Sequence, residues 1–246
     1  MNHRELNLHK VKEMTYTKRL DGRGFTETRP IEAKVGIIKK ANGSAMFRIG
    51  KTVAYAAVYG PRDLFPRFLK NPEEGLLRCH YNMMPFSGSG ERVRPGTSRR
   101  SKEISLVTEK ALYPALDLSE YANSVVDVFI ELPQTDAGSR CAGICAASMA
   151  LADAGIPMRS LIAAVSVGSV DNQVVVDLNY EEEAYEGGHV ADIPVAVIGI
   201  TGQISLLQMD GIISKDELFK ALDLAKEATA KLIDVQQKAL KEKYKA

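Results

Sequence analysis

The chain has 246 residues, of which 45% are hydrophobic and 26% are charged, and its formal net charge is +1. This length and composition allow a buried core within one domain. A net charge so close to zero does not favour a free-standing nucleic-acid-binding domain, so any nucleic acid would be bound by local basic patches or within an assembly. No stretch approaches the ~20 apolar residues that span a bilayer. The three cysteines, Cys79, Cys141 and Cys145, are typical of a reducing compartment. We therefore expect a cytoplasmic protein with no membrane partner.

Residues 1–19 lack hydrophobic periodicity and are predicted to be a polar N-terminal arm, followed by one domain over residues 20–246. Turn signals at Asn42-Gly43 and Gly60-Pro61 separate short strand-like runs, and alternating apolar residues indicate further half-buried strands. The predicted strands are 31–38, 52–59, 77–83, 126–132, 174–178 and 204–209.

Three helices are predicted between and after these strands. Residues 101–116 place apolar side chains on one face. Residues 139–154 are rich in compact side chains and end before Gly155, so this helix should be buried. A capping box at Ser214 begins a long amphipathic helix that extends to about Tyr244. The mixture predicts a single α+β domain with mixed sheets of mainly antiparallel character and packed helices.

The segment 136–140 leads directly into the predicted buried helix. Gly138 permits close backbone approach, Ser139 offers a hydroxyl and a possible helix cap, and Arg140 adds a fixed cation. Free amides and the helix dipole favour anions at such a place. Taken alone, the pattern fits an ordinary capped helix start even better, because such caps are common.

Two further charged segments indicate the same chemistry. Arg99 and Arg100 stand beside small hydroxyl residues, and paired guanidinium groups suit bidentate phosphate binding, although an isolated pair is more often solvated. The acidic run 181–186 and Asp192 follow a predicted strand, where carboxylates can hold Mg²⁺ or donate a proton. A solvated loop explains this run equally well.

Taken together and in order, these segments resemble the ribonuclease PH family, and within it they look most similar to the catalytic ring subunit of the archaeal exosome. The resemblance covers residues from about 20 to the C-terminus. The blocks that carry it are 21–23, 29–31, 42–45, 56–62, 81–87, 98–101, 136–140, 146–159, 177–179 and 207–211.

The resemblance implies a ribosomal-protein-S5-domain-2-like fold with a long C-terminal helix. It also implies a hexameric ring in which this subunit alternates with a related inactive subunit beneath RNA-binding cap subunits. In such a ring, inorganic phosphate is the co-substrate that attacks the 3′ end of single-stranded RNA and releases nucleoside 5′-diphosphates. The residues that match the family's phosphate site are Arg100, Gly138, Ser139 and Arg140. Those that match its RNA-contacting positions are Arg67, Arg92 and Arg99.

The catalytic carboxylates that the resemblance implies are Glu183 and Asp192, which are also the implied Mg²⁺ ligands. Glu183 stands where active family members have aspartate, and Asp192 is three residues further along the chain than is usual. A different placement of this gap puts Glu186 in the catalytic position. Two alternatives to an active exosome subunit therefore remain open: a catalytically silent subunit that shapes the RNA channel, and a homohexameric ribonuclease PH that trims tRNA.

Overall fold

The computed structural model describes residues 16–89 and 93–245. The first sheet has five strands in the spatial order β1-β2-β3-β5-β4. Every pair is antiparallel except β4 and β5, which run parallel. In chain order these strands are β1 (Ile31–Val35), β2 (Gly43–Ile49), β3 (Thr52–Asp63), β4 (Leu76–Met83) and β5 (Ser124–Gln134).

The second sheet is antiparallel and contains the strands that follow residue 160. The order β10-β8-β6-β7 describes most of it, and β9 pairs with another part of β8. The strands are β6 (Ile162–Val170), β7 (Gln173–Val176), β8 (Val190–Ile198), β9 (Ile204–Leu207) and β10 (Asp210–Gly211). The two sheets with their helices confirm the predicted α+β fold.

Four helices complete the described part of the chain. They are α1 (Arg99–Leu112), α2 (Ser139–Asp153), α3 (Tyr180–Glu183) and α4 (Lys215–Lys243). Helix α2 contacts both sheets and is buried almost all round, as its compact side chains predict. Helix α4 covers the second sheet and reaches β1. No helix among residues 16–89 and 93–245 is long and apolar enough to cross a membrane.

The predicted helices form, with shifted ends. Helix α1 begins at Arg99, two residues before the predicted start, because Ser98 caps it in a reciprocal capping box with Ser101. This shift places Arg99 and Arg100 in the first helical turn. Helix α4 has the predicted cap at Ser214. Four strands, β2, β6, β8 and the two-residue β10, were not among the predicted ones.

The predicted polar arm, residues 1–19, lies mostly outside the described residues. Its last part is not a solvated arm, because the side chains of Tyr16 and Arg19 are buried. Tyr16 packs edge-on against Tyr185, close to the acidic segment. For residues 1–15 the arm stays a prediction.

Gly43 in β2 packs directly against the C-terminal end of α2. A Cβ atom at this position would overlap the backbone of Ala150 and Ala154. We therefore expect Gly43→Ala to lower the free energy of unfolding by ~1–3 kcal/mol, in the range of overpacked cores. Equilibrium denaturation with urea measures this change.

The matched control is Gly24→Ala, since the nearest atom to a Cβ there is 3.4 Å away on the flexible side chain of Glu27. An equal loss of stability in both variants would contradict the close approach at Gly43.

Candidate anion and carboxylate site

A polar cavity of about 350 Å³ lies where the first turns of α1 and α2 meet the edge of the second sheet. It brings together residues that are as far apart in the chain as Arg100 and Gly211. The residues that line it are Arg100, Ala137, Gly138, Ser139, Arg140, Glu183, Val190, Asp192, Pro194, Asp210 and Gly211. Every residue predicted for the phosphate and carboxylate positions is among them.

The backbone before α2 shapes one wall of the cavity. Ala137 and Gly138 both adopt left-handed conformations, with φ of 56° and 60°. Gly138 occupies the cap position without a side-chain cap, and Ser139 is the first helical residue. The prediction that Ser139 caps the helix is therefore wrong, because its side chain lies inside the first turn. The first-turn amides of α2 have no intrahelical acceptors, and the helix dipole adds positive potential.

A set of hydrogen bonds fixes this wall from behind. The Thr52 hydroxyl accepts from the Asp136 amide at 2.8 Å and donates to the Ala137 carbonyl at 2.8 Å. The guanidinium of Arg29 donates to the Asp136 carbonyl and to both carboxylate oxygens of Asp177, at 2.7 and 2.9 Å. Arg29 thus joins the loop before α2 to the end of β7.

The two cavity arginines differ in how they are held. Arg140 donates to the Gln208 side chain, and its guanidinium lies 4.0 Å from the carboxylate of Glu103. Gln208 in turn donates to Glu103 at 3.0 Å. Arg100 is exposed in the first turn of α1. The arrangement provides one guanidinium held by hydrogen bonds and one exposed guanidinium at the same cavity.

Glu183 ends the single helical turn α3 and projects into the cavity. Burial and the nearby Asp192 carboxylate raise the pKa of Glu183 to about 7, although Arg100, Arg29 and a hydrogen bond from the Gly138 amide oppose this rise. The group is therefore poised to hold or release a proton near neutral pH.

Asp192 lies on β8 opposite Asp210 of β10. Burial raises the pKa of Asp192, and the charge of Asp210 adds to the rise, whereas the Ser166 hydroxyl, Arg140 and Arg100 lower it. Ser166 donates a hydrogen bond to this carboxylate. The cavity thus places arginines and helix amides opposite two carboxyl groups whose pKa values are both raised.

Glu182, next to Glu183, is fully buried and points the other way. Its carboxylate accepts from the Arg19 guanidinium at 2.6 and 2.7 Å and from the Tyr16 hydroxyl at 2.8 Å. Arg19 also donates to the carbonyls of Val176 and Asp177 at the end of β7. A single helical turn has little stability of its own. The buried ion pair therefore anchors the turn that presents Glu183.

The other predicted site residues that the structure describes lie outside the cavity lining. Glu186, the alternative catalytic position, is exposed and does not line the cavity. Arg99 is exposed at the first position of α1, and Arg67 is exposed between the uncovered rings of Phe65 and Phe68. Arg92 lies outside the described residues.

Sequence reasoning assigned no role to several residues of this site. Asp210 and Gly211 line the cavity, and Gln208 holds Arg140. All three lie within the block 207–211 that contributed to the family resemblance, which was the one available signal. Arg19 and Glu182 are 163 positions apart, so no local pattern reveals their pairing.

Comparison with protein families gives two adjoining matches. Residues 27–157 match domain 1 of the 3′ exoribonuclease family, ribonuclease PH, and residues 160–228 match domain 2 of the same family.

Several curated relatives share about half of their residues with this chain. The Exosome complex component Rrp41 of Pyrococcus furiosus is 52% identical over 227 residues, which cover 92% of this chain and 89% of the relative. The protein of the same name from Methanopyrus kandleri is 48% identical over 226 residues, covering 92% and 93%. That from Thermoplasma acidophilum is 43% identical over 227 residues, covering 92% and 90%.

Among solved structures, rice Rrp46 superposes with a TM-score of 0.78 at 24% identity, over 90% of this chain and all of the rice chain. At this level of identity the likeness concerns the fold alone. It confirms the predicted ribonuclease PH-like architecture.

The Arg19–Glu182 pair yields a stability prediction. Arg19→Met leaves the Glu182 carboxylate buried without its counter-charge, and breaking such a pair costs ~3–5 kcal/mol. Chemical denaturation of the purified chain measures the loss. Lys34→Met is the control, because its pair with Glu32 at 2.6 Å is exposed and should change stability little. Similar losses in the two variants would refute the anchoring role.

The raised pKa of Glu183 yields a pH dependence. Between about pH 4.5 and 7 the folded chain keeps a proton that the unfolded chain releases, so stability falls as pH rises through this window. Glu183→Gln removes the free-energy cost of ionising a buried carboxyl group. This variant should therefore be more stable than wild type above pH 7, by on the order of 2–3 kcal/mol. Urea unfolding at pH 5 and pH 8 tests this. Glu186→Gln is the matched control at an exposed position outside the cavity. A wild-type-like profile for Glu183→Gln would contradict the burial of this carboxylate.

Proposed function

The chain belongs to the 3′ exoribonuclease family, and from that premise we propose that it is the phosphorolytic subunit of an exosome-like hexameric ring. It would release nucleoside 5′-diphosphates from RNA 3′ ends. The observation that carries this proposal is the cavity in which amides, arginines and two carboxylates meet. Identities near 50% to archaeal proteins named as exosome components support the assembly.

Inorganic phosphate is the co-substrate in this proposal. Its oxygens accept hydrogen bonds from the first-turn amides of α2 and from Ser139, and the guanidinium groups of Arg100 and Arg140 balance its charge. One phosphate oxygen attacks the phosphorus of the last phosphodiester. The bond from that phosphorus to the 3′ oxygen of the preceding nucleotide breaks, and the terminal nucleotide leaves as a nucleoside 5′-diphosphate.

The departing 3′ oxygen needs a proton, and Glu183 is the proposed donor. Its pKa of about 7 means that a large fraction of the group is protonated at neutral pH, which suits a general acid. Asp192 keeps a second carboxylate in the cavity.

Mg²⁺ fits this arrangement as an ion shared between protein and substrate. Such ions usually bind one or two carboxylates together with phosphate oxygens and water. Asp192 would hold it, and Glu183 would join as a ligand in its ionised form, in which case Glu183 would act through the ion and not as the proton donor. No cluster of three or more ligating side chains occurs among the described residues. When bound, the ion would neutralise charge on the phosphates.

RNA recognition is proposed to be independent of sequence. Arg67 and Arg99, both exposed, and Arg92 would contact backbone phosphates of a single strand, which carry no base information. The exposed rings of Phe65 and Phe68 beside Arg67 offer surfaces on which bases can stack. With a net charge of only +1, the chain depends on a ring with a related inactive subunit and on RNA-binding caps for further contacts.

A reconstituted ring and a 3′-labelled single-stranded RNA test this proposal. Labelled nucleoside diphosphate should appear only when phosphate is present. Glu183→Gln should lower the turnover number by at least ~100-fold, the range of general acid catalysis, and leave RNA affinity unchanged.

Glu186→Gln is the matched control and should retain full activity, since Glu186 is exposed outside the cavity. Absence of any phosphate-dependent product in the wild-type ring would favour the silent channel subunit. A stable active hexamer of this chain alone would favour the homohexameric ribonuclease.

A further inference from the structure

Tyr81 on β4 carries a buried hydroxyl with no hydrogen-bond partner among the described residues. The side chain is only 4% exposed, and its ring packs beside Gly143 of α2. Buried hydroxyls in folded proteins are nearly always hydrogen-bonded, and an exception at a site often has a functional reason. The orphan hydroxyl is therefore a feature that the fold alone does not explain.

The surroundings of this hydroxyl point to the anion cavity. Tyr81 lines a second cavity of about 350 Å³, which shares Arg100, Ser139 and Glu183 with the first one. The hydroxyl oxygen itself is closed off from solvent, so it lies behind the cavity wall.

Ser139 is the part of that wall which faces Tyr81. Ser139 and Arg100 line the same cavity as Tyr81. Burial raises the pKa of Tyr81, whereas the Ser139 side chain and the charges of Arg100 and Arg140 lower it. In this structure the two hydroxyls do not meet the geometry of a hydrogen bond.

We propose that Tyr81 is a positioning residue for Ser139, and that its hydroxyl donates to the Ser139 oxygen when a phosphate group occupies the cavity. A serine hydroxyl has one proton to donate and two lone pairs to accept with. Ionised phosphate oxygens mainly accept, so the Ser139 proton must point at the phosphate. A donor behind Ser139 enforces this orientation, because Ser139 can then only accept from Tyr81. This inference rests on the proposed phosphate site.

The phosphate group that Ser139 meets has two possible sources, the inorganic co-substrate and the scissile diester of RNA. The shared chemistry is an anionic phosphoryl oxygen. Titration calorimetry with inorganic phosphate alone measures the affinity for the co-substrate. Titration with RNA in the absence of inorganic phosphate measures the affinity for the scissile diester.

Tyr81→Phe in the full chain, free and in the assembled ring, is the decisive variant. It removes only a hydroxyl without a protein partner, so the melting temperature should stay the same or rise. Loss of one oriented hydrogen bond should weaken binding of inorganic phosphate by about 3- to 10-fold. The phosphate KM should rise in proportion, and the affinity for RNA should not change. If Tyr81→Phe weakens RNA binding and leaves phosphate binding unchanged, Tyr81 does not position Ser139 for inorganic phosphate, and the inference is overturned.

Two further variants separate positioning from general packing. Thr108→Val is the matched control, because Thr108 also carries a buried hydroxyl without a partner and lies about 12 Å along α1 from Arg100. It should leave phosphate binding unchanged. In a Ser139→Ala background, Tyr81→Phe should have no additional effect, since Tyr81 acts through Ser139.

Additive effects in that double variant would overturn the inference, as would full phosphate affinity in Tyr81→Phe. A wild-type protein that binds phosphate and releases no nucleoside diphosphate would instead contradict the proposed function. The phosphate- and RNA-binding measurements would still decide the role of Tyr81.

Discussion

The buried ion pair between Arg29 and Asp177 is the contact on which the site depends. Asp177 ends the β7 segment in a left-handed conformation, with φ of 57°, and it accepts from the Arg29 amide as well as the side chain. The same guanidinium reaches the Asp136 carbonyl just before α2. One side chain thus joins the anion-binding loop to the segment that carries the carboxylates. The Tyr180 amide, which donates to the Asp136 carboxylate at 3.2 Å, adds a second link between this loop and the turn that carries Glu183.

The charges of the cavity are compatible with the phosphate co-substrate that we propose. Two arginines and the first turn of α2 favour negative charge, whereas burial raises the pKa of both Glu183 and Asp192. A carboxyl group that keeps its proton near pH 7 does not repel an incoming phosphate as an ionised one does. The proton that it keeps is then available to a leaving oxygen. Phosphate binding and acid catalysis in the proposed reaction therefore both depend on the burial of the Glu183 carboxyl group.

Helices with clear end signals were predictable from the sequence. The compact composition of α2, its Gly155 terminus and the capping box at Ser214 correspond to real features. Strands β2 and β6 were missed because they are buried on both faces and so lack the alternation of a half-buried strand. Strand β8 contains Pro194, which weakens a strand pattern.

The site was predictable only in part, because some of its features depend on contacts between distant parts of the chain. Gly138, Ser139 and Arg140 are contiguous, so the local pattern offered an anion site, but it fitted an ordinary capped helix start better, and the family resemblance was needed to assign these residues to phosphate. The pKa of Glu183 depends on burial and on Asp192 from another strand, which no local pattern contains. The anchoring of α3 by Arg19 and the orphan hydroxyl of Tyr81 are likewise products of long-range packing.

The central claim is that inorganic phosphate, held in this cavity, becomes part of the product. The most direct measurement supplies the assembled ring with single-stranded RNA and ¹⁸O-labelled inorganic phosphate, and then determines the mass of the released nucleotides. The account predicts nucleoside 5′-diphosphates whose terminal phosphate carries the label. Release of unlabelled nucleoside monophosphates would show that water is the nucleophile, and that result would contradict it.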